Sequence, residues 1–285
     1  MLSILITAKI LKYTQKKSIF ANTLKIMENK REILITNDDS IEAKGIHLLA
    51  SIMKKYGNVT VVAPSTPQSG KSASLSIGKT LTLKKISEEE GIRYFTLDGT
   101  PVDCVKAALN ECYNADRLPD LVASGINHGS NCSAAALYSG TLGACVEGTL
   151  YGIPSFGFSI NTHDASPDFS AIEQYSGIII NNILTHSISR GIYLNINFPH
   201  LPASQIKGIK VTRKGRGRWT KEFDILSREE GEIQLLMKGE FLNQEEDTTQ
   251  GDHILMKQGW ITIVPHTIDT TGYSETLRIE KLWNI

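Results

Sequence analysis

Apolar residues recur along the chain in two alternating rhythms. Ile33-Leu34-Ile35-Thr36 is a short continuous apolar run and predicts a buried strand; Ile46, Leu49, Ile52, Met53 and Tyr56 then recur at helical spacing until Gly57. Val59 to Ala63 predicts the next strand, closed by Pro64. Thr80 to Ile86 and Ile92 to Leu97 predict a hairpin whose polar turn is Glu88-Glu89-Glu90-Gly91. The turn Gly99-Thr100-Pro101 leads into a helix expected from Val102 to Asn110, with proline at the first helical position. A strand follows at Leu121 to Ser124, a helix at Thr141 to Tyr151 and an extended segment at Pro154 to Ser159. Ser170 and Glu173 have the spacing of a capping box opening a helix that runs towards Arg190, and Tyr193 to Asn197 predicts a further strand. Strand and helix in alternation imply an α/β fold with a mainly parallel sheet and helices on both faces. Beyond Pro202 the pieces become short, charged and rich in glycine. That change predicts a core over about 31–200 followed by a β-rich C-terminal extension or oligomerisation arm over about 201–285.

The first 26 residues follow neither rhythm. They carry five lysines and no acid, and their apolar opening, Met1 to Ile6, has no charged segment before it, which is the wrong order for a secretory signal. Residues 1–26 are expected to be an extension outside the fold, with Met27 the start of a single domain, 27–285. The whole chain has 285 residues, 41% of them hydrophobic, and balances 30 Lys+Arg against 30 Asp+Glu. A neutral chain of this kind is expected to be soluble, with no stable nucleic-acid or membrane partner, since both need a positive excess. Setting the lysine-rich segment aside leaves a mildly acidic protein. No apolar run of about 18 residues predicts a membrane helix. Cys104, Cys112, Cys132 and Cys145 show no C-x-x-C spacing and read as free thiols of a cytoplasmic protein.

Chemistry collects just after the predicted strands. The first ends in Asn37-Asp38-Asp39-Ser40, the second in Pro64-Ser65-Thr66-Pro67-Gln68-Ser69-Gly70, and the Leu121 strand in Gly125-Ile126-Asn127-His128-Gly129-Ser130-Asn131. In an open parallel sheet the carboxyl ends of strands share one edge, where ligands bind. Two carboxylates, a serine hydroxyl and an asparagine amide would meet there, an oxygen set suited to a hard divalent cation. Taken alone, Asp38-Asp39 would be a turn capping the next helix. Two adjacent carboxylates brought into a buried crevice instead need a proton or a cation.

Tyr138-Ser139-Gly140-Thr141 immediately precedes a predicted helix, whose free N–H groups and hydroxyls can cradle a phosphate. An ordinary Ser/Thr N-cap is the structural alternative. Asn131 can add a neutral donor, and His128 is either a proton-transfer candidate or a loop-packing residue. Gly70-Lys71-Ser72 imitates the tail of a P-loop, but position 65 is Ser65 and strand-like residues follow. The basic run Arg213 to Trp219 reads as a solvated loop or subunit contact on a chain with no net charge.

These blocks together resemble the survival protein E (SurE) nucleotidases. The resemblance rests on Ile-Leu-Ile-Thr-Asn-Asp-Asp (33–39), Val-Val-Ala-Pro with Gln-Ser-Gly (61–70), Asp-Gly-Thr-Pro-Val-Asp-Cys (98–104), Ser-Gly-Ile-Asn-His-Gly-Ser-Asn (124–131) and Tyr-Ser-Gly-Thr (138–141). Asn-Ile-Asn-Phe-Pro (195–199), Val-Thr-Arg-Lys-Gly (211–215) and Gly-Trp-Ile-Thr-Ile-Val-Pro (259–265) continue it over nearly everything after Met27. It implies a Rossmann-like core, a phosphatase using one Mg²⁺ or Mn²⁺ per subunit, nucleoside monophosphate substrates, and a homodimer or homotetramer built partly through the C-terminal region. In that pattern the metal ligands fall on Asp38, Asp39, Ser69 and Asn127; Asn37, Asn131, Ser139, Gly140 and Thr141 fall near phosphate or substrate. The family often has glycine where this chain has Ser40 and at the position of Ser133, there followed by acidic residues where this chain has Ala134 and Ala135.

The expected reaction is hydrolysis of nucleoside 5′-monophosphates, with 3′-nucleotides and short polyphosphate as further substrates. The cation would polarise the phosphoryl group and activate water, with Asp38 and Asp39 as catalytic residues and Asp39 the proton acceptor. Two rivals remain open from sequence: an aspartyl-phosphate phosphatase, whose D-x-D signature is broken by Asn37, and a nucleotide-binding sensor without turnover.

Overall fold

The computed structural model describes residues 30–113, 117–247 and 249–283. The expected extension, 1–26, lies outside the described residues. Among those described, nine strands form one sheet in the order β3-β4-β2-β1-β5-β6-β7-β13-β8. Its centre is parallel: β1 (Arg31–Thr36) pairs with β2 (Gly57–Pro64) and with β5 (Leu121–His128), and β6 (Ser155–Ile160) and β7 (Ile192–Phe198) continue outward in parallel. β4 (Ile92–Leu97) lies parallel to β2 and carries β3 (Leu83–Glu89) antiparallel at the edge.

Successive strand residues point to opposite faces, so β1 feeds two cores. Ile33 and Ile35 pack with Ile46 and Leu49 of helix α1 (Lys44–Met53) and with Ile179 and Ile180. Leu34 packs on the other face with Val62, Val105 of α2 (Pro101–Glu111) and Ala144. A strand buried on both faces must be apolar at every position, which is why the Ile33 run shows no alternation. Helices α3 (Ala135–Tyr138), α4 (Gly140–Leu150) and α5 (Ser170–His186) follow, then α6 (Asp252–Lys257) and α7 (Tyr273–Trp283). No helix among the described residues is long and apolar enough to cross a membrane.

Several expectations shift in detail. The Ser170–Glu173 capping box does not form: the Ser170 N–H donates to Asp168, and its hydroxyl accepts instead from the Ala203 N–H. A capping box is present at Thr100 and Asp103, where each side chain accepts from the other's backbone N–H. Helix α5 stops at His186 rather than reaching Arg190. The β3–β4 turn is only Glu90-Gly91, both at positive φ as a two-residue hairpin turn demands, so Glu88 and Glu89 belong to the strand. The C-terminal segment is indeed β-rich, with β9 (Gly217–Thr220), β10 (Phe223–Glu229), β11 (Glu232–Met237) and β12 (Glu240–Asn243) forming two separate antiparallel pairs, β10–β11 and β9–β12. Two of its strands, β8 (Ile209–Val211) and β13 (Ile261–Thr267), return to extend the main sheet beyond β7.

Gly70-Lys71-Ser72 starts no helix. The Ser72 N–H and hydroxyl donate to the carbonyls of Tyr138 and Leu137, fastening this loop to the segment just before α4. In the basic run, Arg213 is engaged in a two-point pair with Glu245 at 2.6 and 2.7 Å. That pair, helped by the Arg216 N–H, holds the Glu245 carboxyl down at about 2. The four cysteines are free, and burial pushes the thiols of Cys104, Cys132 and Cys145 up, which leaves them unreactive.

Candidate active site

β1 passes through α1 to β2 on one side, while β5 lies on its other side. The chain therefore diverges at the carboxyl end of β1, the position where open α/β sheets bind ligands. Asp38 and Asp39 sit directly after β1, Asn127 lies near the end of β5, and α4 begins alongside. The loop carrying Ser69 is tied in by the Gln68 N–H, which donates to the Asp38 carbonyl at 2.7 Å. Asp38, Ser69, Asn127, Asn131 and Ser139 line one cavity of about 490 Å³ together with His128.

Asp38 is 4% exposed. Its Oδ1 accepts from the Thr141 hydroxyl at 2.5 Å. Gly140 lies so close that a Cβ there would stand 2.9 Å from Asp38 Cβ, so only glycine lets the start of α4 approach this carboxylate. Burial and then the neighbouring Asp39 charge push Asp38 up to about 6, against the lowering effect of Thr141. Burial also raises Asp39, opposed by the His128 backbone N–H, which donates to Asp39 Oδ2 at 2.9 Å. Asn127 donates through Nδ2 to the Gly129 carbonyl at 2.6 Å, leaving its amide oxygen as an acceptor. Asp39 and Asn127 thus each spend one polar atom on placement and keep an oxygen without a hydrogen bond among the described residues, while Asp38 is held from the start of α4. Two carboxylates with raised pKa, an amide oxygen and a hydroxyl make a donor set that fits a hard divalent cation.

The remaining expected site residues divide between contact and support. Ser139 caps α4, its hydroxyl accepting from the Leu142 N–H at 3.1 Å while its own proton stays available. Thr141 and Gly140 serve Asp38, as described. Asn37 is fully buried; its Nδ2 donates to the Ser40 carbonyl and its Oδ1 has no partner, so it braces the Asp38–Asp39 turn from behind. The ring of His128 leans on Phe169, and burial lowers its pKa.

Ser40 and Ser133, both standing where the resemblance favours glycine, keep the positive φ that glycine would adopt, at 94° and 52°. A side chain at φ 94° is strained, by roughly 1–3 kcal/mol. Ser40→Gly is therefore expected to add about 1 kcal/mol of stability, read as a higher urea midpoint, with turnover unchanged; an unaltered or lowered midpoint would contradict the strain.

The supports of Asn131 and the far wall of the cavity were not assigned to the site from the sequence. Asn131 is held by a relay from β7: its N–H donates to Asn197 Oδ1, its carbonyl accepts from Asn195 Nδ2, and its own Nδ2 donates to Ser159. Asn195 and Asn197 are fully buried; their clues in the sequence are the polar-apolar alternation Asn195-Ile196-Asn197-Phe198 and the Asn-Ile-Asn-Phe-Pro block of the resemblance. Asp252, also fully buried, accepts from the N–H groups of Ser133, Gly215 and His253 and so joins the loop after β5 to the C-terminal segment. Trp219, Phe241 and His253 from that segment line the same cavity as Asp38.

The family model for survival protein SurE matches residues 33–221. A 5′-nucleotidase SurE from Cytophaga hutchinsonii is 40% identical over 257 residues, which cover 90% of this chain and 98% of that protein. Another from Christiangramia forsetii is 39% identical over 249 residues, 86% of this chain and 95% of the relative. The crystal structure of the SurE protein from Aquifex aeolicus superposes with a TM-score of 0.76 at 32% identity, covering 88% of this chain and 99% of the other. A matching family model over more than half the chain, relatives near 40% identity along almost their full length, and the same fold in a solved member mean that this chain belongs to the survival protein SurE family.

Proposed function

We propose that this protein is a divalent-cation-dependent nucleotidase that hydrolyses nucleoside 5′-monophosphates to nucleoside and phosphate. The observation that carries the reading is the buried, pKa-raised Asp38 carboxylate meeting Asn127 and the Ser139 cap of α4 in one cavity at the sheet's divergence point, with the half-buried Asp39, its pKa also raised, next to it in the chain. Asp38, Asp39, Asn127 and Ser69 would hold one Mg²⁺ or Mn²⁺. When bound, the cation supplies Lewis acidity toward the phosphoryl group and the attacking water.

The chain supplies the rest. The Ser139 hydroxyl, the free N–H groups at the start of α4 and the second hydrogen of Asn131 Nδ2 receive the phosphoryl oxygens and stabilise their charge as it builds. The uncommitted oxygen of Asp39 takes a proton from water as the new O–P bond forms. The P–O5′ bond breaks on the far side, the departing 5′ oxygen takes a proton from a solvent water, and Asp39 returns the proton it took to solvent.

The C-terminal segment supports self-association. Ile225, Leu226, Leu235, Leu236 and Met237 of the β10–β11 pair are all exposed, and a two-stranded pair alone is marginal in water. A homodimer or homotetramer would cover this surface. The free thiols fit a reducing, cytoplasmic setting.

Phosphate release by metal-stripped protein tests the reading. Release should be negligible without metal and return with Mg²⁺ or Mn²⁺, faster on 5′-nucleotides than on 3′-nucleotides, short polyphosphate or an aryl phosphate. Asp39→Asn should lower the restored rate roughly 10²–10³-fold. Tight nucleotide binding with no release after metal is restored would make the protein a sensor. Equal rates on every ester would remove the nucleotide preference, and acid-quench trapping of phosphorylated Asp38 would replace water attack by a covalent route.

A further inference from the structure

The cavity that holds Asp38, Asn127 and Ser139 is larger than a phosphate needs, and its other lining includes Trp219, Phe241 and His253, all more than 180 residues further along the chain than Asp38. Trp219 and Phe241 lie directly opposite each other in the β9–β12 ladder, with their rings edge to face at 5.8 Å and 75°. Phe241 in turn meets the His253 ring at 5.2 Å and 69°, and His253 Nε2 is held by Asn243 Oδ1 at 2.8 Å. The arrangement needs glycine beneath it: a Cβ on Gly217 would stand 2.2 Å from the tip of the Phe241 ring. The aromatic row is therefore fixed before any ligand arrives, while Trp219 stays 36% exposed.

A cavity with an anion-binding set and an ordered aromatic wall is matched by a ligand with a phosphate and a flat π-system. We propose that Trp219, supported by Phe241, is the surface on which the substrate's nucleobase stacks, so that the C-terminal segment sets substrate preference at a site whose chemistry belongs to the core. The inference rests on the nucleotidase reading and deepens it. Every base has a π-face, so stacking of this kind selects nucleotides over plain sugar phosphates without choosing strongly among bases.

The test uses the full-length, metal-loaded protein with nucleoside 5′-monophosphates and ribose 5-phosphate, which share the phosphate and sugar but differ by the base. Trp219→Ala should raise KM and the calorimetric Kd for the nucleotides roughly 5- to 100-fold, leave kcat close to that of the parent, and leave kcat/KM for ribose 5-phosphate unchanged. Trp219→Phe should recover most of the loss, because a smaller aromatic face remains. An equal loss on ribose 5-phosphate would show that Trp219 only supports the fold, and unchanged nucleotide KM and Kd would show that no base contacts it; either result overturns the proposal. The calorimetric arm does not depend on turnover. A nucleotide that binds the parent, loses affinity in Trp219→Ala and is never hydrolysed would uphold the stacking surface while overturning the nucleotidase.

Discussion

Asp38→Asn is expected to abolish metal-dependent phosphate release and, in the metal-free protein, to increase stability near neutral pH. The rate should fall by roughly 10²–10³-fold or more, since the variant loses one of the two carboxylates proposed to hold the cation. The stability effect follows from the carboxyl being raised from 3.8 to about 6 by burial and by Asp39. Between about pH 4 and pH 6 the folded metal-free protein retains a proton that the unfolded chain has released. Stability therefore falls as pH rises through that window and stays lower above it, by about 3 kcal/mol at most. Asparagine carries no charge there and still accepts the Thr141 hydroxyl bond. Thermal melts in chelator at pH 4 and pH 7.5 measure the difference: parent and variant should be close at the lower pH, with the variant ahead at the higher. Adding Mn²⁺ should raise the melting temperature of the parent and not of the variant. A variant that gains nothing at pH 7.5 relative to pH 4 would mean that Asp38 ionises freely in the fold.

The second large effect is expected far along the chain from the proposed cation ligands, at Asp252. Its carboxylate accepts the N–H groups of Ser133, Gly215 and His253 with no exposure to solvent. Asp252→Ala strands these buried donors together, which costs about 3–5 kcal/mol and lowers the melting temperature by roughly 10 °C. It also frees the loop bearing Asn131 from the C-terminal segment, so KM for nucleotides should rise alongside. The exposed Asp164 is the control, and Asp164→Ala should move neither value by more than a small amount. Equal melting temperatures for the two variants would show that the three N–H groups find other partners.

The two predictions differ in how visible their residues are in the sequence. Asp38 follows a continuous apolar run that could only be an interior strand, so both its place at a strand end and its chemistry are legible. Asp252 follows Gly251 in a polar stretch where an acid is unremarkable. Only the fold shows it to be buried. The same contrast separates the contact residues from their supports. Asn37, Gly140 and Thr141 carry the chemistry of substrate ligands, yet their observed bonds and approaches serve Asp38 and its turn. Asn195 and Asn197 look like ordinary strand residues, yet they hold Asn131 through a buried relay.

The sequence by itself determined the alternation of strands and helices in the core, the strand-end position of Asp38, Asp39 and Asn127, and the oxygen-rich character of the donor set. Those features depend on residue spacing within a turn of helix or a few strand positions, a range over which backbone geometry is nearly universal. The tertiary structure decided which oxygens stay uncommitted, how far burial raises the two aspartates, and that Trp219 and Phe241 line the same cavity as Asp38. These depend on strand register, on the side of the sheet each crossover takes, and on contacts between segments more than a hundred residues apart. Local propensity carries no information about such distances; the packing of both faces of the sheet does.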